Sequence, residues 1–152
     1  MIRKFMIGEK GEEVLRLQRQ AYKVEAAYIG TYDIPPLKET LEELLNSRET
    51  FIGYFVDDTL AGILSYKFKK GVIDIHRVMV HPAFFRRGIA GSLIQYIEDK
   101  MVSAEFAIVS TGAKNIPAIK LYEKLGFEEL DQSVVGDGLV LTNLKKKLKK
   151  DR

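Results

Sequence analysis

The segment at residues 78–91 combines residue types that could bind a phosphate group. An apolar stretch at 78–80 is followed by a basic loop with Arg86 and Arg87, and Gly88 then opens a helical pattern. The first N–H groups of a helix have no partner within it, and they lie at the positive end of its dipole. Small residues at 88, 90 and 91 would let a bulky anion approach the backbone. The segment therefore predicts an anion site, and pyrophosphate is the anion that suits it best.

Two common phosphate-binding motifs do not explain this loop. A P-loop requires Gly-x-x-x-x-Gly-Lys-Ser/Thr, and a dinucleotide fingerprint requires Gly-x-Gly-x-x-Gly. Neither pattern occurs in the sequence. The alternative to an anion site is structural, in which Gly88 and Gly91 only let a helix pack closely against a sheet.

Length and composition place the chain among ordinary globular proteins. Its 152 residues are 46% hydrophobic and 30% charged, with a formal net charge of +3, which predicts one domain over residues 1–144 and a basic tail at 145–152. A solvated end is the plainest interpretation of the tail; docking through Leu144 and Leu148, or a partner surface, are the alternatives. The chain has no cysteine, which excludes disulfides and thiolate metal sites. We expect no metal, no membrane partner and a cytoplasmic location.

Periodicity and turn signals predict alternating strands and helices. The expected strands cover residues 2–7, 50–56, 60–68, 72–80, 106–110, 127–135 and 139–144. The expected helices cover residues 12–28, a segment after Pro35-Pro36, 88–102 and 117–125. This order, β-α-α-β-β-β-α-β-α-β-β, predicts a mixed α/β sheet.

A second motif lies about 27 residues after Gly88, in residues 115–127, which read Asn-Ile-Pro-Ala-Ile-Lys-Leu-Tyr-Glu-Lys-Leu-Gly-Phe. This segment and the loop at 86–90 together resemble the GNAT superfamily, the general-control-related N-acetyltransferases. The loop is similar to that family's coenzyme A loop, with Phe85 in place of the usual Gln or Arg. In the second motif, the Asn, the Ala-x-x-Leu-Tyr and the Leu-Gly-Phe all match. With the element order, the resemblance covers nearly the whole chain.

The resemblance implies a fold, an activity and a cofactor. The fold is a GNAT-like mixed, mostly antiparallel sheet of about seven strands flanked by about four helices. The activity is transfer of an acetyl group from acetyl-coenzyme A to a primary amine by direct attack on the thioester. The same fold without turnover, an acyl-coenzyme A sensor or regulatory module, is the alternative.

The resemblance also implies roles for individual residues. Backbone groups of Val78, Met79 and Val80 would bind the pantetheine arm, amides of Arg86, Arg87, Gly88, Ile89, Ala90 and Gly91 would hold the pyrophosphate, and Asn115 would bind the cofactor arm. Tyr122 would protonate the leaving thiolate, because a phenol can donate a proton at neutral pH. Asn115 could instead only begin a helix, and Tyr122 could be an ordinary core tyrosine.

The general base is less sharply defined by the sequence. Strict alternation along residues 72–80 would place Asp74, His76, Val78 and Val80 on one face. By the resemblance, Asp74 falls where the histone-acetylating branch has its base glutamate, and Asp74 and His76 fall where the serotonin-acetylating branch has a histidine pair. We therefore expect both to be catalytic. A structural Asp74–His76 pair, with ordered water as the base, is the alternative.

The sequence is compatible with two classes of acceptor, a small-molecule amine and a protein amine. Ser110 stands where ribosomal-protein acetyltransferases carry a glutamate, which argues against a close relative of that branch. In the family, the first helices and the last hairpin shape the acceptor site; here they carry Tyr22, Glu25, Tyr28, Tyr32, Asp33, Glu39 and Asp137, a mixture that would suit a cationic amine. Nucleic acid is disfavoured because no recognition motif with exposed aromatics accompanies the lysines. A homodimer is left open.

Overall fold

The computed structural model describes residues 1–148, and these form seven β-strands and five α-helices. In chain order they are β1 (Ile2–Phe5), α1 (Ile7–Ile29), α2 (Pro35–Lys38), α3 (Leu41–Leu45), β2 (Thr50–Val56), β3 (Thr59–Lys69), β4 (Val72–Val80), α4 (Ile89–Lys100), β5 (Phe106–Gly112), α5 (Ile116–Lys124), β6 (Glu128–Val135) and β7 (Leu139–Lys147). A 3-10 turn at Pro82–Phe84 precedes α4. None of the helices in this described range is long and apolar enough to cross a membrane.

All seven strands belong to one sheet in the order β1-β2-β3-β4-β5-β7-β6. Every neighbouring pair is antiparallel except β4 and β5, which run parallel. The mixed, mostly antiparallel sheet predicted from the sequence is therefore confirmed, with the second predicted helix divided into α2 and α3. Thr40 divides them because its side chain accepts a hydrogen bond from the Glu43 N–H, while the Glu43 side chain accepts one from the Thr40 N–H. This capping box starts a new helix.

Helices cover both faces of the sheet and create two large apolar cores, with a third, smaller cluster formed by Ala26, Ile29 and Ile34. The α1-side core joins residues of α1, such as Val14 and Leu17, to Phe51 and Met79 of the sheet. The α4-side core joins residues of α4, such as Leu93, to the other face of the same strands. The sheet therefore lies between α1 on one face and α4 on the other.

The strand β4 contains a β-bulge that interrupts its alternation. In the pairing of β3 with β4, Ser65 lies opposite Arg77, whereas the next residue, Tyr66, lies opposite Ile75. His76 is therefore an extra residue in β4, and no residue of β3 lies opposite it.

The bulge overturns the common face predicted for the even-numbered residues of β4. Ile75 belongs to the α4-side core and Val78 packs against that core, which strict alternation would forbid. Asp74, which precedes Ile75, consequently lies on the opposite face from Val78 and Val80. The predicted common face was wrong because period-two counting does not hold across an inserted residue.

The last strand runs to Lys147, three residues beyond its predicted end at Leu144. Lys145, Lys146 and Lys147 pair with β5, where Lys147 lies opposite Phe106. These three lysines therefore belong to the sheet, not to a solvated end, and Leu148 after them is buried in the α4-side core. The remainder of the predicted tail, residues 149–152, lies outside the described residues.

Candidate active site

The strands β4 and β5 separate along part of their length. Their pairing covers only Val72–Phe106, Ile73–Ala107 and Asp74–Ile108, after which the two strands diverge. Beyond this point lies a cavity of about 890 Å³, lined by the later residues of both strands and by residues of α1, α4 and α5. Because the strands no longer pair there, their backbone groups along the cavity can bind an extended ligand, as an added strand would.

The N-terminus of α4 lies at this cavity. Gly88 is the N-cap residue and has a φ of 71°, a conformation that L side chains rarely adopt. The first helical hydrogen bond runs from the Ser92 N–H to the Gly88 carbonyl, at 3.0 Å, so the amides of residues 89–91 precede the helical bonding pattern. A Cβ atom at Gly88 would meet no heavy atom within 4 Å. This open helix start has the form of an anion site.

Most of the residues predicted to bind the cofactor line this cavity: Val78, Met79, Val80, Arg86, Gly88, Ile89, Ala90, Gly91 and Asn115. Arg87 is not among the lining residues. Its guanidinium carbon instead lies 5.1 Å from the ring centroid of Phe84. Arg86 is the loop cation that lines the cavity, while Arg87 supplies charge from outside it.

Tyr122 on α5 is part of the cavity wall, and only 6% of its surface is exposed. Its ring packs edge-on against Phe127 with centroids 5.8 Å apart. Burial, and next the charge of Glu25, raise the pKa of Tyr122 above its usual value of 10.0. The phenol therefore keeps its proton throughout the neutral range and can donate it.

Asn115 has the helix-starting position that the sequence left as one alternative, and it also lines the cavity. Its Oδ1 accepts a hydrogen bond from the Ala118 N–H at 3.3 Å, which caps α5. Its Nδ2 lies 3.5 Å from Thr111 Oγ1. The cap fixes the side chain at the edge of the cavity, so the two predicted roles are compatible.

His76 lies between two carboxylates. Its Nδ1 is 3.4 Å from Glu49 Oε2, and its Nε2 is 3.3 Å from Asp74 Oδ2. His76 lines the cavity, whereas Asp74, with 51% of its side chain exposed, does not. The structure therefore brings only one of the two predicted bases to the cavity wall.

A second cavity of about 660 Å³ lies on the α1 side of the sheet. It shares Tyr22, His76 and Arg77 with the first. Its wall contains five carboxylates and two fixed cations: Asp33, Glu39, Glu43, Glu49 and Asp137 against Lys38 and Arg77. Of the residues predicted to shape the acceptor site, four line this cavity: Tyr22, Asp33, Glu39 and Asp137. Glu25 and Tyr28 line the larger cavity, and Tyr32 lines neither.

The buried Arg77 is a residue of this second cavity that the sequence did not single out. Its Nε lies 2.7 Å from Glu49 Oε1, and its Nη1 lies 2.7 Å from Gln18 Oε1. One signal in the sequence could have identified it. Gln18 on α1 and Arg77 on β4 are polar residues at positions where the hydrophobic pattern calls for apolar ones.

Among the described residues, no group of three or more His, Cys, Asp or Glu side chains could hold a metal ion.

Comparisons with known proteins agree with this architecture. The Acetyltransferase (GNAT) family model matches residues 12–127. The crystal structure of the PaiA N-acetyltransferase from Thermoplasma acidophilum, in complex with coenzyme A, is 25% identical with a TM-score of 0.81, and the match covers 97% of this chain and 98% of that one. The aminoglycoside 6'-acetyltransferase type Ii shares the fold at 17% identity and a TM-score of 0.74, covering 100% of this chain and 99% of that one.

A curated relative shows that this family segment can occur in a longer protein. The UPF0157 protein YqkA of Bacillus subtilis (strain 168) is 36% identical over 130 residues, which cover 86% of this chain but only 38% of YqkA. The GNAT family match itself extends over most of the present chain, across both the helix start at Gly88 and the motif that carries Tyr122. The chain therefore belongs to the GNAT family of acetyltransferases.

Proposed function

We propose that this protein transfers an acetyl group from acetyl-coenzyme A to a primary amine by direct attack on the thioester. The observation that carries the proposal is the cavity at the opening between β4 and β5. It has the open N-terminus of α4 in its wall together with the buried phenol of Tyr122. The family and the coenzyme A complex of the PaiA structure support the donor.

The residues present fit coenzyme A as a substrate. The amides at 89–91 and the Arg86 guanidinium would bind the pyrophosphate, for which Gly88 leaves open space. Backbone groups of residues 78–80 face the gap left by β5 and would bind the pantetheine amides. An N–H of β4 would also stabilise the oxyanion that forms at the thioester carbonyl.

The chemistry of the leaving group supports a catalytic role for Tyr122. When the amine attacks, the C–S bond breaks and its electron pair goes to sulfur. A phenol that is fully protonated at neutral pH can donate its proton to that thiolate. Burial raises the pKa of Tyr122, so the phenol is fully protonated over the whole physiological pH range, and the hydrogen bond it donates would stabilise the thiolate as the C–S bond breaks.

The acceptor that the geometry favours is a cationic amine. The acidic second cavity adjoins the opening between β4 and β5 on the α1 side, where Tyr22 and His76 belong to both walls. Its excess of carboxylates would attract an ammonium group and raise its local concentration. Small-molecule and protein amines both satisfy this description.

A thiol-release assay tests the proposal. The protein is incubated with acetyl-coenzyme A and a panel of diamines, aminoglycosides and peptides with free N-termini, with acceptor-free reactions as the control. We expect thiol release that depends on the acceptor, together with a mass increase of one acetyl group on the amine. Saturable coenzyme A binding by calorimetry without acceptor-dependent release would overturn the transferase proposal and leave a non-catalytic acyl-coenzyme A sensor.

A further inference from the structure

We propose that Glu25, on α1, is the general base that takes the proton from the acceptor ammonium. This inference rests on the proposed transferase function and assigns the step for which the sequence indicated Asp74 and His76. It is carried by the position of the carboxylate in the cavity, by the groups that fix it there and by its relation to Tyr122.

Glu25 lies where α1 crosses the end of β5. A Cβ atom added to Gly112 would lie 2.6 Å from Ile29 Cδ1 and 4.0 Å from Glu25 Oε2. Only a residue without a side chain permits so close an approach of the helix to the strand. The carboxylate of Glu25 is therefore held at the open end of β5, and Glu25 lines the larger cavity.

Two donors orient this carboxylate. It accepts hydrogen bonds from the backbone N–H of Gly112 and from the side chain of Asn115. Burial raises the pKa of Glu25, and these two hydrogen bonds lower it by less, so that the pKa stays above its usual value of 4.5. A base works best when its pKa lies closer to the working pH, so the environment moves Glu25 in the direction that its role requires.

Glu25 and Tyr122 approach the same cavity from opposite sides. Tyr122 belongs to the α4-side core, whereas Glu25 belongs to α1 on the other face of the sheet. The titratable groups that face Glu25 are Tyr22 on its own helix and Tyr122 on α5. Burial first, and then the charge of Glu25, raise the pKa of both. A base on the side of the acidic cavity and an acid on the other side can serve two different atoms of the same reaction, the attacking nitrogen and the departing sulfur.

His76 is placed differently. Both of its nitrogens lie within 3.4 Å of a carboxylate oxygen. One of those carboxylates, Glu49, also binds Arg77 and the Ser65 hydroxyl. The imidazole is thus part of a network of charged side chains, whereas the Glu25 carboxylate is held by one amide and one side-chain donor at the mouth of the strand opening.

The proposed steps balance. The ammonium gives one proton to the Glu25 carboxylate, and the lone pair of the free amine then forms the C–N bond. The C–S bond breaks with its electron pair on sulfur, and Tyr122 gives its proton to that sulfur. The phenolate of Tyr122 recovers a proton from the cationic amide nitrogen, and the carboxyl of Glu25 releases its proton to water. The products are an N-acetyl amine, a thiol and one proton.

The test compares Glu25→Gln, Glu25→Asp and the control Glu12→Gln, which removes an exposed carboxylate from the same helix. Turnover is measured from pH 6 to pH 10 with an amine that the parent acetylates, and coenzyme A binding is measured by calorimetry. We expect Glu25→Gln to bind coenzyme A as the parent does and to lose about 10²-fold in turnover at pH 7, the low end for a lost general base. The loss should shrink towards pH 10, where much of the amine is already free. Glu25→Asp should retain part of the activity.

The outcomes separate the inference from the proposed function. An active parent with an equally active Glu25→Gln variant would overturn the role of Glu25 alone, and a matching pH-dependent loss in His76→Ala would assign the base to His76. A loss of equal size at every pH, or lost coenzyme A binding, would also overturn it, because the carboxylate would then only position a substrate. A parent that releases no thiol with any amine would overturn the proposed function itself.

Discussion

The guanidinium of Arg77 on β4 binds both carboxylate oxygens of Glu39, which lies between the short helices α2 and α3. Burial alone would raise the pKa of Glu39, but hydrogen bonds from Arg77 and Gln18 outweigh it and hold the pKa below its usual value. Arg77 also binds both oxygens of Glu49. One side chain thus fixes the helical segment over the acidic cavity to the strand that lines the opening.

Replacing Arg77 by leucine should destabilise the protein strongly. The change leaves the Glu39 and Glu49 carboxylates without their cation in a site where the side chains are 19% and 7% exposed. Breaking a buried pair by removing one partner costs about 3–5 kcal/mol, measurable as a lower free energy of unfolding in urea. The exposed Arg16 on α1 provides the control, since Arg16→Leu should change stability by less than about 0.5 kcal/mol. An equal loss in the free energy of unfolding for the two variants would contradict this prediction, because it would show that Glu39 and Glu49 are rehydrated without a penalty when Arg77 is removed.

Gly88→Glu should weaken coenzyme A binding by roughly tenfold or more, which corresponds to about 1.4 kcal/mol. The new carboxylate would occupy the open space at the positive end of α4 and repel the pyrophosphate. Gly30→Glu is the matched control. Gly30 also has a positive φ, of 93°, and open space around its Cβ position, but it lies at the end of α1. Titration calorimetry on both variants separates backbone strain from charge, and equal affinity in the two would contradict the phosphate assignment.

Tyr122→Phe should keep the fold and the coenzyme A affinity while lowering turnover by roughly 10²-fold, as expected for a lost general acid. The ring still packs on Phe127, so only the proton donor is removed. Tyr96→Phe on α4, outside the residues that line the two cavities, should leave turnover unchanged. Steady-state assays with one amine that the parent acetylates well measure the turnover of both variants. Full activity in Tyr122→Phe would make Tyr122 a core residue.

Two parts of the site, the helix start at Gly88 and the position of Tyr122, could be predicted because each depends only on residues close by in the sequence. The helix start at Gly88 follows from a glycine placed after a strand and a basic loop, and Tyr122 lies in a motif carried by a single helix. Both positions are set by neighbours within a few residues. The order of strands and helices was predictable for the same reason, since each element has its own hydrophobic period and its own turn residues.

Contacts between distant segments could not be predicted. The bulge at His76 depends on how β4 pairs with β3, and nothing in residues 72–80 alone reveals an inserted residue. The bonds from Arg77 to Glu39 span 38 residues. Lys146 belongs to a run that has the composition of a solvated tail, but its Nζ lies 3.0 Å from Glu98 Oε1 on α4, and that ion pair helps to fix the run to the fold.

Glu25→Gln should make the folded state more stable at neutral pH, and this prediction is independent of any activity. Burial raises the pKa of Glu25 above 4.5, so between the unfolded and folded pKa values the folded state binds more protons than the unfolded chain. The parent therefore loses stability as the pH rises through that range. Glutamine does not titrate, so the stability difference in favour of the variant should increase from pH 4 to neutral pH and then become constant.

Urea denaturation of the parent, Glu25→Gln and Glu12→Gln at a series of pH values provides the measurement. The exposed control should show no such pH dependence in its difference from the parent. If the Glu25→Gln difference instead favours the parent increasingly as the pH rises, the hydrogen bonds from Gly112 and Asn115 outweigh burial, and the pKa of Glu25 is lowered. The predicted sign would mean that the fold keeps a carboxylate in the cavity at a cost in stability. Such a cost is expected where the residue is retained for activity, because catalytic groups are often held in environments that destabilise them.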